Sequence, residues 1–540
     1  MHSPDNSEVG PAPEGDAPAH RTRSAQLATA VFAVAAVLAV PAAMVRGRRH
    51  WFFLDDYDFL ATRRLGSFSD LMTSHNGHWS TLPIIEYRVL YHFFGLNHYW
   101  PYQLVLVLAH VSTATLLYLV MRRAKVHPWI ATSAAVLFLF LGSGADDIEW
   151  SFQIGFTAAL AFGLAFLLLV DHDGPIGWRD GAGVLCGLAA LLCSGVGVAV
   201  VAGVAAALVL RRGPRVAATL VGPLAAVFLV WYFTYGRRGP APPLPKAHEV
   251  QVFVWTSLSS VFGQLVQVRF LGWLLFAVLV AGIVVALRTR SLAELRSDDA
   301  APAGLLFGAL VFVATTTVSR GFLIGALSSD AARVPRYLYV FAALMLPAIA
   351  VAASVLARRP IVVVAMCALL LLGLPGNFQA LEPHKAVLFA LGQPRMVVAL
   401  AKSPLLARAP SAQQPFPLQM PGATASWVRN ARSAGKLPMG LAVEPVDLDT
   451  ARLALSLDQV ATRRQHHCRP VGPLEAVSLE VGDEIVLPEG QWSVTLLGPD
   501  GHGLASNSYL VGDPVLRVVR GPLQVQVSSP KHQARASLCT

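Results

Sequence analysis

Predominantly apolar runs of about 15–20 residues recur through the first 375 positions, separated by short polar stretches. A bilayer core about 30 Å thick is crossed by roughly 20 residues rising 1.5 Å each, so each run is read as a membrane-crossing helix. The runs are continuous and lack the alternation of an outer-membrane barrel. They fall at 27–45, 101–120, 129–143, 154–170, 181–210, 216–235, 269–287, 303–318, 337–356 and 361–375. Basic clusters follow at Arg122, Arg123 and Lys125, at Arg211, Arg212 and Arg215, at Arg288, Arg290 and Arg296, and at Arg358 and Arg359. With the N-terminus inside, every cluster satisfies the positive-inside bias only if 181–210 crosses twice. The small residues of CSGVGV at 193–198 supply the turn for such a hairpin. The fold expected is mainly α: a polytopic bundle of about 11 segments, followed by a C-terminal external α/β region ending in a small β-sandwich.

The external side then holds the loop 46–100, a short loop near 144–153, the loops 236–268 and 319–336, and everything beyond 375. Residues 1–26, rich in Pro, Gly, Asp and Glu, read as a disordered cytoplasmic tail, and 27–45 as a signal anchor that stays in place. Residues 27–375 form the transmembrane domain and 376–469 an external linker and helical region. Within it, Pro394, Arg395 and Lys402 make 384–407 a surface helix rather than a twelfth span. From 470 to 540, short runs such as AVSLEV, WSVTLLG and LQVQVSS alternate with turn residues, as in a small sandwich. Cys468 and Cys539 bracket it, and an external compartment permits a disulfide between them.

Composition sharpens this picture. Charged residues make up only 14% of the 540-residue chain, against about 25% in ordinary soluble domains, and the mean hydropathy is +0.54. The net charge of +10 sits in the inter-helix clusters, which argues against nucleic acid as a partner and for a lipid bilayer. In so uncharged a chain, WFFLDDYDFL at 51–60 stands out. On a helix Asp55 and Asp58 share a face while Asp56 points elsewhere. Acids beside apolar surface have raised pKa values and suit a general base, or two together hold a divalent cation. The plainer reading is an interfacial helix with solvated acids.

The same loop continues with SHNGHWSTLP at 74–83. There His75 and His78 can ligate a metal or hydrogen-bond sugar and phosphate, or serve as ordinary loop residues, with Trp79 beside them. In GADDIEW, Asp146, Asp147 and Glu149 precede Trp150, and acids next to aromatic platforms suit carbohydrate. Arg333 and Arg336 lie on the external side against the charge bias, as do Arg46, Arg48 and Arg49. The planar guanidinium fork suits a lipid phosphate or pyrophosphate, while snorkelling toward head groups is the alternative.

An acidic pair (Asp55–Asp56) at the start of a long first external loop, His75, Asn76 and His78 after it, many membrane helices and an external final domain together resemble a GT-C superfamily glycosyltransferase. Within it the pattern is closest to actinobacterial multi-pass membrane proteins. The resemblance covers about 27–375. It implies transfer of a sugar from a polyprenyl-phosphate donor to a cell-envelope glycan, lipid or protein acceptor at the outer face of the plasma membrane. Asp55 or Asp56, with Asp56 preferred, is implied as base or, with Mg2+ or Mn2+, as metal ligand. Two other functions remain open. A transporter or flippase of lipid-linked saccharide requires ionisable residues at mid-membrane depth, where His110 is the main candidate. A non-catalytic scaffold with an external partner-binding domain predicts that Asp55 and Asp56 tolerate replacement.

Overall fold

Among the described residues of the computed structural model, eight helices are long and apolar enough to cross a membrane. A bent pair, Pro128–Leu139 with Gly142–Glu149, kinked by 45°, raises that to nine. The description covers residues 17–237, 246–319, 332–381, 392–460, 467–472, 475–511, 515–529 and 535–540. Eight falls short of the eleven expected, and two of the expected stretches are built from shorter helices. Residues 129–143 form the bent pair, and 181–210 divides into helices of 16 and 17 residues. Outward faces are apolar, with Val37, Phe270 and Val364 among the exposed side chains, as expected of helices solvated by lipid rather than water.

The helices run alternately between two ends. α1 (Ala17–Arg46) starts where Trp129 Nε1 donates to Ser24 Oγ at 3.0 Å. It reaches the other end past two short helical elements, α2 (Phe68–Met72) and α3 (Thr81–Phe94), in the long loop that follows. α4 (Trp100–Arg123) returns, α5 (Pro128–Leu139) climbs back into the bend α6 (Ala145–Glu149), and α7 (Ile154–Val170) descends. There Arg123 pairs with Asp171 at 2.7 Å.

α8 (Trp178–Cys193) and α9 (Val196–Arg212) are an antiparallel pair, closed by an ion pair between Asp180 at the start of one and Arg212 at the end of the other. The reversal requires Gly197, where a Cβ would lie 2.3 Å from the Ala190 carbonyl oxygen. The short-residue stretch read as a turn is that turn. α10 (Pro214–Trp231) climbs again, and its Trp231 stacks on Trp79 with centroids 4.9 Å apart. α11 (Ala247–Val266) stays near that end. α12 (Arg269–Thr289), α13 (Leu292–Ser297) and α14 (Ala300–Ser319) make the next descent and ascent. Helices Pro335–Leu356 and Pro360–Leu371 complete the bundle.

Basic clusters distant in sequence meet at one end. Arg211 pairs with Asp171 at 2.7 Å and donates to Ser297 O at 2.7 Å, Lys125 pairs with Asp298 at 2.9 Å, and His127 N donates to Ser354 Oγ at 3.0 Å. α9 and α14 pack backbone to backbone. Ala199, Gly203 and Ala207 face Gly304 and Gly308, and a Cβ on Gly304 would lie 2.4 Å from Gly203 O. This spacing of small residues every fourth position is what lets membrane helices approach backbone to backbone.

At the opposite end the first loop and the chain after 392 share one core. Phe52, Phe53, Tyr57 and Tyr87 pack with Val397, Leu400, Phe416, Met420 and Val428. The described part of 376–469 is therefore a packed helical region rather than a linker. Nor is its helix a surface one: of 384–407, residues 384–391 lie outside the described residues, and helix Gln393–Lys402 buries Val397 through Ala401 completely. Its charges sit at its ends, where Arg395 meets Glu444 and Lys402 reaches Leu441 O, so they do not oppose an apolar middle.

The sandwich follows, beginning at Leu457 rather than 470. β1 (Leu457–Val460), β2 (Cys468–Val471), β4 (Glu484–Val486), β7 (Val515–Val518) and β9 (Ala536–Cys539) form one sheet in the order β1-β7-β4-β9-β2. β3 (Ala476–Leu479), β5 (Gly490–Leu497), β6 (Gly503–Val511) and β8 (Leu523–Ser528) form the other, β3-β8-β5-β6. Cys468 and Cys539 are opposite each other on β2 and β9 and are disulfide-bonded. Trp492 and Tyr509 pair across β5 and β6 and are buried in the core, so neither ring is presented to a ligand. Asn507 Nδ2 donates to Pro415 O at 3.0 Å and Gln413 Nε2 to Leu457 O at 2.9 Å, seating the sandwich on the helical region.

Candidate functional site

The aspartates sit on a strained turn. Phe53 N donates to Asp56 Oδ2 at 2.9 Å and Tyr57 N to Leu54 O at 3.0 Å, while Leu54 itself has φ +50°. A leucine rarely adopts that left-handed conformation, and here Leu54 N is fastened to Gln419 O at 3.0 Å. The turn separates its two acids. Asp56 points inward and is fully buried. Besides Phe53 N, it accepts from Trp150 Nε1 at 2.9 Å and from the Tyr87 hydroxyl, which lies 2.8 Å from Ser151 Oγ. Burial outweighs these donors and pushes the Asp56 carboxyl up to about 7. The expected preference for Asp56 as base does not fit this geometry: its carboxylate is fully buried with both oxygens engaged, whereas Asp55, a third exposed, lines a cleft.

That cavity is organised by HNGH. Asn76 (φ +50°) and Gly77 (φ +82°) make a two-residue reversal of the kind Asn-Gly favours. His75 and His78 face each other across it through mutual backbone hydrogen bonds of 3.0 and 2.8 Å. His75 lies between two acids, Nδ1 donating to Asp58 Oδ2 at 2.7 Å and Nε2 facing Asp55 Oδ1 at 3.5 Å. Burial opposes its charge, but the hydrogen bonds and charges of Asp55 and Asp58 prevail and raise it to about 9, which favours the imidazolium, and the Asn76 amide lies 2.9 Å from Nε2. Burial likewise works against ionised Asp58, yet His75, Thr62 and Arg63 hold it well below the usual carboxylate range. Arg63 is the brace: it pairs with Asp58 at 2.9 Å and donates to Thr73 O at 2.9 Å and Asp70 O at 3.0 Å. His78 Nδ1 accepts from Gly195 N at 3.2 Å, which leaves the hydrogen on Nε2.

Asp55, His75, Asn76, His78 and Arg336 line one narrow cleft of about 60 Å³. Pro83 and Cys193 belong both to this cleft and to a neighbouring apolar groove of about 500 Å³ between α3, α4 and α7. Glu86 is the charged residue among those described in the groove. Its Oε2 is buried with no partner among the described residues, and burial raises its carboxyl well above the usual range.

The other residues singled out from sequence lie elsewhere. Trp79 is buried against Trp231 and donates to Thr81 Oγ1 at 2.8 Å, and Trp150 stacks on Phe53 at 4.6 Å, so neither is an open carbohydrate platform. Glu149 pairs with Arg46 at 3.4 Å and with His50 at 3.5 Å. Asp147 is fully buried and close enough to Arg336 to feel its charge, and neither of its oxygens has a partner among the described residues. Asp146 beside it does not line the cleft. Arg333 lines a different cavity. His110 donates or accepts at both ring nitrogens, to the Tyr339 hydroxyl at 2.9 Å and Leu139 O at 3.1 Å, as a packed core histidine does.

Asp55 and Asp56 do not fit a shared Mg2+ or Mn2+, because both oxygens of Asp56 are taken by N–H and O–H donors on the buried side. No group of three or more metal-ligating side chains occurs among the described residues. Two residues that build the cleft were not foreseen as site residues. Asp58 was visible as the helical neighbour of Asp55, whereas Arg63 gave no signal, since its role depends on carbonyls ten residues further on. No family model matches the chain, and neither a curated protein nor a solved structure matches it.

Proposed function

We propose that this protein is a GT-C-type membrane glycosyltransferase. In this reading it moves a sugar from a polyprenyl-phosphate donor to a cell-envelope glycan, lipid or protein acceptor at the outer face of the plasma membrane. The observation that carries the reading is the junction of a charged cleft with an apolar groove at Pro83 and Cys193. Such a junction suits a substrate with a long hydrocarbon tail and a charged reacting head. The cleft takes only the reacting groups, and the rest of each substrate lies outside it.

Asp55 accepts the proton of the acceptor hydroxyl. The acceptor oxygen bonds to the anomeric carbon as the bond from that carbon to the phosphate oxygen breaks, and the electron pair leaves with the lipid phosphate. Protonated His75 and Arg336 face the charge that develops on the leaving phosphate, where fixed donors in a dry site act most strongly. Asp58 and Arg63 position His75, and Asp56 holds the turn that presents Asp55.

The positive-inside bias puts the basic end in the cytoplasm. Adding α5, α8 and α9 to the eight long helices gives eleven passes, which leaves the cleft and the sandwich outside. The test is transfer from a polyprenyl-phosphate sugar in proteoliposomes. Asp55→Asn is expected to abolish it with yield and elution unchanged, and normal transfer by that variant would falsify the mechanism.

A further inference from the structure

Beyond the Asp55 cleft, the structure carries a second charged cavity that shares no lining residue with it. α11 turns into α12 through only Gln267 and Val268, and Gln267 holds φ +56°. The two helices meet at Gly263 and Gly272, where a Cβ on Gly272 would lie 2.6 Å from Gly263 N. The turn is fixed from behind, since Gln267 Nε2 donates to Gln264 O at 2.8 Å and to Asn377 Oδ1 at 3.2 Å.

The cavity in front of this turn measures about 390 Å³, and Trp255, Gln264, Arg269, Trp273 and Arg333 line it. Trp255 and Trp273 have ring centroids 5.9 Å apart and are 61% and 42% exposed, so neither is buried in the bundle. Arg269 opens α12 and Arg333 precedes helix Pro335–Leu356, so two separate elements bring their guanidinium groups to one space. No acidic side chain is among the described residues lining it, and neither arginine forms an ion pair among them. Both lie at the end of the bundle away from the basic clusters, where topology does not call for positive charge.

We propose that this cavity binds a phosphate group, held by the forks of Arg269 and Arg333, with the rest of the ligand packed on Trp255 and Trp273. The phosphate comes either on a lipid from the adjoining bilayer or as a free anion from solution. The inference does not depend on the chemistry assigned to Asp55.

The test is photolabelling of the full-length protein in neutral-lipid nanodiscs with a diazirine-bearing decyl phosphate, the label being mapped by peptide mass spectrometry. Labelling across 255–273 is expected to exceed that by the matching decyl alcohol about tenfold or more. In an Arg269→Gln/Arg333→Gln double variant it is expected to fall to the level of the alcohol. Displacement by excess inorganic phosphate assigns the site to a free anion, and persistence of the label assigns it to a lipid phosphate. Equal labelling of the wild-type protein by phosphate and alcohol overturns the proposal whether or not the double variant folds. Undiminished labelling of a folded double variant overturns it as well.

Discussion

Asp55 and Asp56 are consecutive residues whose carboxylates occupy different worlds: one lines a cleft beside His75, and the other is sealed against Trp150 and Tyr87. Replacing each by asparagine therefore separates chemistry from architecture. Asp55→Asn is expected to lower transfer by about 100-fold or more, the range for loss of a general base. Asp56→Asn keeps an acceptor for Phe53 N and Trp150 Nε1, and its amide can face the Tyr87 oxygen, so transfer stays within about tenfold. Asp56→Ala strands three donors at about 1–3 kcal/mol each and is expected to unfold the turn. Initial rates and unfolding midpoints of the three purified variants decide this, and equal losses in both asparagine variants would refute the division of roles.

His75 and Asp56 predict losses of stability with rising pH in two different windows. His75 is raised from 6.5 to about 9, so its charged form stabilises the fold. That contribution, up to ~3 kcal/mol, is complete below pH 6.5 and lost as pH rises through about 9. Asp56 is raised from 3.8 to about 7 by burial, so its stabilising form is the neutral one, complete below pH 3.8 and lost by about pH 7. Wild-type protein is expected to lose stability relative to Asp56→Asn between pH 4 and 7, and relative to His75→Gln between pH 6.5 and 9. Midpoint differences that stay flat with pH in either window would contradict the assignment.

Gly77 offers a purely conformational test. A Cβ there meets nothing within 4 Å, yet φ is +82°, so Gly77→Val costs only backbone strain of about 1–2 kcal/mol. The expected result is a reduced rate from misplacement of His75 and His78, with the bundle unaffected. Asn76→Gly keeps the turn but removes the amide 2.9 Å from His75 Nε2, and is expected to lower the rate less than Gly77→Val. Thermal unfolding together with rate measurements distinguishes the two.

In the bundle, Gly304→Leu drives a side chain into Gly203 backbone and is expected to destabilise by about 3 kcal/mol or more. Gly222 on α10 has nothing within 4 Å of its added Cβ, so Gly222→Leu serves as the control. Comparable detergent half-lives for both variants would argue against the α9–α14 contact.

Much of the bundle was legible because bilayer crossing imposes one rule on every segment: long apolar runs with basic ends. The doubling of 181–210 followed from charge placement alone, and Arg212 and Asp180 now close it. Site geometry was legible only where local periodicity rules. The face shared by Asp55 and Asp58 was readable from helical spacing, and it describes the cleft better than the motif-based preference for Asp56. The burial of Trp79 and Trp150 was not readable, because it is decided by Trp231 and Phe53, brought in by tertiary packing. The buried helix Gln393–Lys402 was missed for a similar reason, since charges at its ends masked an apolar centre.

The hydrogen bond from Leu54 N to Gln419 O sets an order of assembly. A chain made N-terminus first has its first helix and first loop in place long before residue 419 exists. Until then that tether is missing, and the turn carrying Asp55 rests on the contacts of Asp56 with Phe53, Tyr87 and Trp150 alone. A chain stalled or cut before the helical region after 392 thus keeps its apolar bundle but lacks this fastening of the turn that carries Asp55.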